Sequence, residues 1–195
     1  MRTIIAGIFA LAAVCLVAGT AGAQTPKVGL EAHGLYAFNF NDDDFGSGNE
    51  PDNVFGGGGS LVFCLGNFVK LDLGADYFKP ESKFSSDMKF QFIPVAGTLR
   101  LGGTVAEVLY LYVGGGGGWS FNEYDGPDDD VFELEDSFTY HGCGGAELFL
   151  SPQIAIRGEF RYVWMRPDLK FKPSGDKEEI KFDHMQVRAG VAFYF

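Results

Sequence analysis

The feature that most constrains this chain is the rhythm of its connections. Eight stretches alternate apolar and polar side chains at period 2, near residues 27–40, 54–65, 68–78, 89–101, 107–121, 137–150, 153–165 and 185–195. Such alternation marks β-strands with two unlike faces. The connections between them run long, short, long, short, long, short, long. The tight ones are Gly66-Asn67, Gly102-Gly103-Thr104 and Ser151-Pro152. Antiparallel neighbours joined in this way place all the long loops at one end, and the tight turns with both termini at the other.

The last stretch indicates that the sheet closes. Met185, Val187, Ala189, Val191, Phe193 and Phe195 share one face, and Gln186, Arg188, Gly190, Ala192 and Tyr194 the other. So apolar a strand is a hazard as a bare edge, and pairing it with the first strand abolishes the edge. The predicted fold is all-β, an eight-stranded antiparallel up-and-down transmembrane β-barrel. Its strands have about the 9–11 residues that a tilted crossing of the bilayer needs.

Three features turn the apolar face toward lipid rather than inward. Phe38, Phe40, Tyr77, Trp119, Phe121, Tyr162, Trp164, Phe193 and Phe195 lie near strand ends on that face, where aromatic girdles sit. The polar face carries Lys70, Arg100, Arg157, Arg161 and Arg188 against Glu31, Asp72, Asp76, Glu147 and Glu159, equal numbers of each sign. Parity of this kind suits a narrow lumen, where an unpaired charge is costly. Finally, the interior of eight strands is only wide enough to be filled by side chains. Lys181 and Asp183 fall on the apolar parity and are expected above the bilayer or at a bulge.

Ahead of the strands, Met1-Arg2, an apolar run from Ile4 to Val17 and the small residues Ala21-Gly22-Ala23 form a secretory signal peptide over 1–23. The barrel domain then spans 24–195. Cys15 follows Val14, too large for lipoprotein cleavage. The formal net charge is −11, and the leader contributes only one basic residue, so nucleic acid is excluded as a partner. Cys64 and Cys143 take lumen parity on non-adjacent strands and at different heights, so two free thiols are predicted.

The amphipathic final strand ending in Tyr194-Phe195 resembles the C-terminal signal of bacterial outer-membrane barrels. The pattern of strands and loops resembles the small eight-stranded OmpX, OmpW and OmpA-barrel group, without the peptidoglycan-binding domain of full-length OmpA. The resemblance implies residence in the cell outer membrane, long loops outside the cell and recognition of Tyr194 and Phe195 by the barrel-assembly machinery. It also implies contact with outer-membrane lipid and lipopolysaccharide.

Candidate chemistry is sparse. The glycine runs 56–59 and 114–118 lack the Gly-Lys-Ser/Thr of a phosphate-binding loop and serve strand bending better. His33, His141 and His184 show no metal-ligand spacing. His141-Gly-Cys143 loosely resembles the His-x-Ser pair of lipid A-trimming barrels, but has Cys for Ser and faces the lumen. Asp42-Asp43-Asp44 and the acids of 125–136 could meet divalent cations bridging lipopolysaccharide, although they match no EF-hand; a solvated, repulsive surface is the simpler account. The expectation is a monomer that is not an enzyme, needs no cofactor and serves a structural or surface-interaction role. The alternative is a narrow OmpW-like channel for small solutes or hydrophobic molecules, and a remote one is a lipid A-modifying enzyme.

Overall fold

The computed structural model describes residues 28–40, 51–81, 89–105, 108–125 and 131–195. The predicted leader lies outside them, as do Asp42, Asp43 and Asp44. Eight long strands are present: β1 (Val28–Phe38), β2 (Val54–Cys64), β3 (Val69–Phe78), β4 (Lys89–Val105), β5 (Leu109–Asp125), β7 (Ser137–Phe149), β8 (Ile154–Met165) and β11 (His184–Tyr194). They close in the order β1-β11-β8-β7-β5-β4-β3-β2. The closing pair is antiparallel and in register from Gly29↔Tyr194 to Phe38↔Met185. The final strand therefore has no edge to protect, as its sequence requires.

Alternation assigns the two faces. Along β1, Glu31, His33, Leu35 and Ala37 are buried, while Leu30, Ala32 and Gly34 are exposed. Along β8, Ala155, Arg157, Glu159 and Arg161 are buried, and Ile156 and Phe160 face out. The exterior is a band of large apolar side chains, including Leu73, Leu99, Leu111, Val113, Ile156, Phe160, Val187 and Val191. That is the inverse of a water-soluble barrel, and it fits a hydrocarbon surround.

Three features depart from the sequence reading. The β4–β5 hairpin is longer than predicted, 17 residues on each side, because both strands continue pairing through Val105↔Leu109 at one end and Lys89↔Asp125 at the other. Second, the connections expected as polar loops over 122–136 and 166–179 contain β6 (Phe132–Leu134), β9 (Asp168–Phe171) and β10 (Lys177–Glu179). These form a separate sheet in the order β10-β9-β6. Strands of three or four residues are too short for alternation to announce them. Lys170 reaches Glu133 at 3.6 Å and Lys177 reaches Glu135 at 2.6 Å, tying this sheet across the two loops.

The third departure is Phe40. Predicted as a lipid-facing girdle residue, it is buried, stacked on His184 with ring centroids 4.8 Å apart. Asn39 just before it has φ 54°. One left-handed residue breaks the period-2 rule, and the next side chain turns into the barrel mouth.

The lumen is layered. At the loop end, Leu35, Ala37, Phe40, Phe78, Phe90, Phe92, Leu134, Val163, Met165 and Phe182 form one apolar cluster. Phe182 is fully buried, edge-on to Phe90 and Phe92 at centroid separations of 5.1 and 5.0 Å. Its neighbour Asp183 holds the segment down. Asp183 accepts the Met165 backbone N–H at 3.0 Å and meets Arg166 at 3.4 Å. Beneath this stopper lie the charges.

Candidate functional site

The charged layer is built from inward positions of six strands, each side chain placed by strand parity alone. All ten charges singled out in the sequence are buried there: Glu31, Lys70, Asp72, Asp76, Arg100, Glu147, Arg157, Glu159, Arg161 and Arg188. They meet because β3 sets Lys70 beside Arg100 of β4, β7 sets Glu147 beside Arg157, and β8 sets Glu159 beside Arg188 of β11.

The ten divide into two groups, each with no net charge. In the group toward the tight turns, Arg157 bridges Glu31 and Asp72, approaching Asp72 at 2.8 Å. Asp72 also takes Arg100 at 2.5 Å. Glu147 then joins Lys70 and lies 3.8 Å from Arg100. Toward the loops, Arg188 pairs with Asp76, and Arg161 donates to Glu159 at 2.8 and 3.1 Å. Neutral donors complete the shells: Tyr194 donates to Glu147 at 2.5 Å and Tyr112 to Glu159 at 2.9 Å. Pairing on this scale is what a low-dielectric interior demands of carboxylates and guanidinium groups.

His33 joins the groups, 2.8 Å from Asp76 and 3.3 Å from Glu31. His184 extends the chain to the stopper. Its Nδ1 donates to the Phe182 carbonyl at 2.7 Å, so Nε2 is left to accept from Gln186 at 2.9 Å, and Gln186 in turn accepts from Arg188 at 3.1 Å. A polar relay thus runs from Lys70 to the base of the apolar cap. Two cavities within it are about 20 Å³ each, room for roughly one water apiece.

The other candidates separate. His141 is buried with Nε2 2.9 Å from the Thr98 hydroxyl. Cys143 stands opposite Gly114 and Arg161, and Cys64 opposite Lys70; no disulfide joins them. No cluster of three or more metal-ligating side chains occurs among the described residues. Tyr194 points into the lumen, while Phe195 is exposed and packs edge-on against Phe193 at 5.1 Å.

Sequence reasoning missed Phe182 and the aromatic cap. The signal was present, since Phe90, Phe92 and Phe182 share parity with the lumen charges, but they sit above the charged rows or, for Phe182, beside Lys181 and Asp183, which were expected above the bilayer or at a bulge.

A closed eight-stranded barrel with an apolar exterior, an interior of paired charges and tight turns at one end is an integral outer-membrane barrel. The chain belongs to the outer membrane protein beta-barrel domain family, whose model matches residues 8–195. It resides in the outer membrane, where barrels of this kind carry their short turns on the periplasmic side. Among solved structures it is similar to the outer membrane protein OprG from Pseudomonas aeruginosa, at 14% identity and TM-score 0.67, over 89% of this chain and 98% of that one. Outer membrane protein W of E. coli matches at 14% identity and TM-score 0.60, over 87% and 98%. Neisserial surface protein A matches at 15% identity and TM-score 0.59, over 87% and 96%. No curated protein matches the chain.

Proposed function

We propose that the barrel is a closed anchor that presents its loops at the cell surface, in a structural or surface-interaction role. The observation that carries this reading is double closure of the lumen. The aromatic stopper around Phe182 fills the mouth, and the ten paired charges fill the middle. Two voids of about 20 Å³ in the paired layer have room for roughly one water each, which suits a plug better than a pore. The loop sheet of β6, β9 and β10 then stands as the surface on display, with lipopolysaccharide and its bridging divalent cations as the nearest partners. A cleaved leader over 1–23, recognition of Tyr194 and Phe195 by the assembly machinery, and a monomeric state complete the proposal.

An enzymatic role is disfavoured, because His141 and Cys143 lie on the lumen side and His141 is engaged by Thr98. A second reading is a carrier for small hydrophobic molecules, and the apolar lining of the mouth favours it. Planar-bilayer conductance separates the two readings. The wild type is expected to show no steady conductance. The double variant Arg157→Ala/Arg161→Ala is expected to stay closed as well, because Phe182 still fills the mouth. Adding Phe182→Ala should produce discrete openings. Steady current through the wild type, or uptake of a hydrophobic dye into wild-type proteoliposomes, would move the assignment to the carrier.

A further inference from the structure

We propose that the periplasmic end of the barrel is a dead-end receptor pocket for a small aryl or alkyl monocarboxylate. This goes beyond surface display, because it concerns the opposite end of the molecule. A cavity of about 540 Å³ opens there between the tight turns, within the ~300–1,000 Å³ usual for small-molecule sites. Val108, Tyr110, Phe149, Leu150 and Tyr194 form its apolar and aromatic part, Asn67, Thr104 and Ser151 its polar part, and Lys70 is its single cationic side chain.

Lys70 sets the ligand's charge. Its ammonium lies 4.4 Å from the Tyr110 ring centroid and 5.0 Å from those of Phe149 and Tyr194. Two of its protons are engaged, by Glu147 and by the Tyr194 hydroxyl at 3.2 Å. An ammonium has three donors, and the third has no protein acceptor among the described residues. That donor has ring faces beside it but no oxygen acceptor among the described residues, and it belongs to a side chain that lines the cavity, so an acceptor entering from the periplasm completes the shell. Glu147, behind Lys70, disfavours a second negative charge. One carboxylate with an apolar body therefore fits, its head on Lys70 and its tail along Phe149, Val108 and Leu150.

The pocket has no exit upward. Lys70 lines its inner end, and Glu147 and the fully buried Arg100 lie behind Lys70, with the other paired charges beyond them. Such a site holds a ligand without passing it across the membrane.

The test uses the mature barrel in nanodiscs of zwitterionic lipid, titrated with 3-phenylpropionate and followed by amide chemical shifts. The matching alcohol and amine serve as controls. Saturable shifts confined to the backbone around Tyr110, Phe149 and Ser151 are expected for the acid, with the alcohol at least 10-fold weaker and the amine silent. Lys70→Met should weaken the acid at least 10-fold and leave the alcohol unchanged. Because that variant also strips Glu147 of its cation, Val108→Trp is the second variant. It fills the cavity without touching the ion pairs and should abolish saturable binding while the melting temperature holds. Equal binding of acid, alcohol and amine, shifts only at lipid-facing residues, or undiminished binding in Val108→Trp would overturn the proposal.

Discussion

Arg157→Ala is expected to cost about 3–5 kcal/mol of barrel stability, the range for breaking a buried ion pair from one side. Arg157 is the only cation bonded to Glu31 among the described residues, and it shares Asp72 with Arg100. Its loss leaves the periplasmic-side group with one uncompensated negative charge and Glu31 with only His33 nearby. The two Oε atoms of Glu31 already lack a well-formed hydrogen bond, and the nearest other donor is His33 Nδ1 at 3.3 Å, a weaker substitute for the guanidinium. Urea unfolding of the refolded protein in lipid vesicles measures the effect. Restoring charge balance with Arg157→Met/Glu31→Gln should recover at least half of it, because the penalty comes from stranding a charge and not from losing the pair itself. A double variant no more stable than Arg157→Ala would assign Arg157 a packing role instead.

Gly116→Ala is expected to block folding of the barrel almost completely, although it adds one methyl group. A Cβ at that position would lie 1.8 Å from the Gly97 carbonyl oxygen and 2.8 Å from its carbon, both backbone atoms of β4. Backbone within a closed, paired sheet cannot yield that far without losing the β4–β5 register. The comparison within the same hairpin is informative. Gly115, on the outer face, would place its Cβ 3.1 Å from the His141 carbonyl oxygen, and Gly103 meets nothing within 4 Å. Heat-modifiable mobility on gels should show little folded Gly116→Ala, partial loss for Gly115→Ala and no change for Gly103→Ala. Equal yields for all three would mean that the run serves flexibility in the unfolded chain and not close approach of β4 to β5.

Much of this architecture was legible because a barrel writes its period into its sequence. Every inward residue of β8 and β11 is separated from the next by one outward residue, so the ten lumen charges could be named from parity before any contact was known. The alternation of long and tight connections likewise gave the up-and-down order, since antiparallel neighbours leave no other arrangement for turns of two or three residues. Parity failed where the backbone left the extended region. Asn39, with φ 54°, reversed Phe40, and the short strands β6, β9 and β10 were lost in what reads as polar loop. For Phe182 the parity held, but parity assigns a face and not a neighbour.

The sequence by itself determined the strands, their faces, the closure of the last upon the first, and the balance of charge within. These are consequences of local periodicity and of the cost of leaving an apolar edge or a buried charge unpaired. Only the tertiary structure decided which acid meets which base, that the pairs sort into two neutral groups, and that Phe182 folds back into the mouth while a cavity lies beside Lys70 at the tight-turn end. Those outcomes depend on the stagger between strands, which sets the height of each inward side chain, and no repeat along a single strand encodes that height.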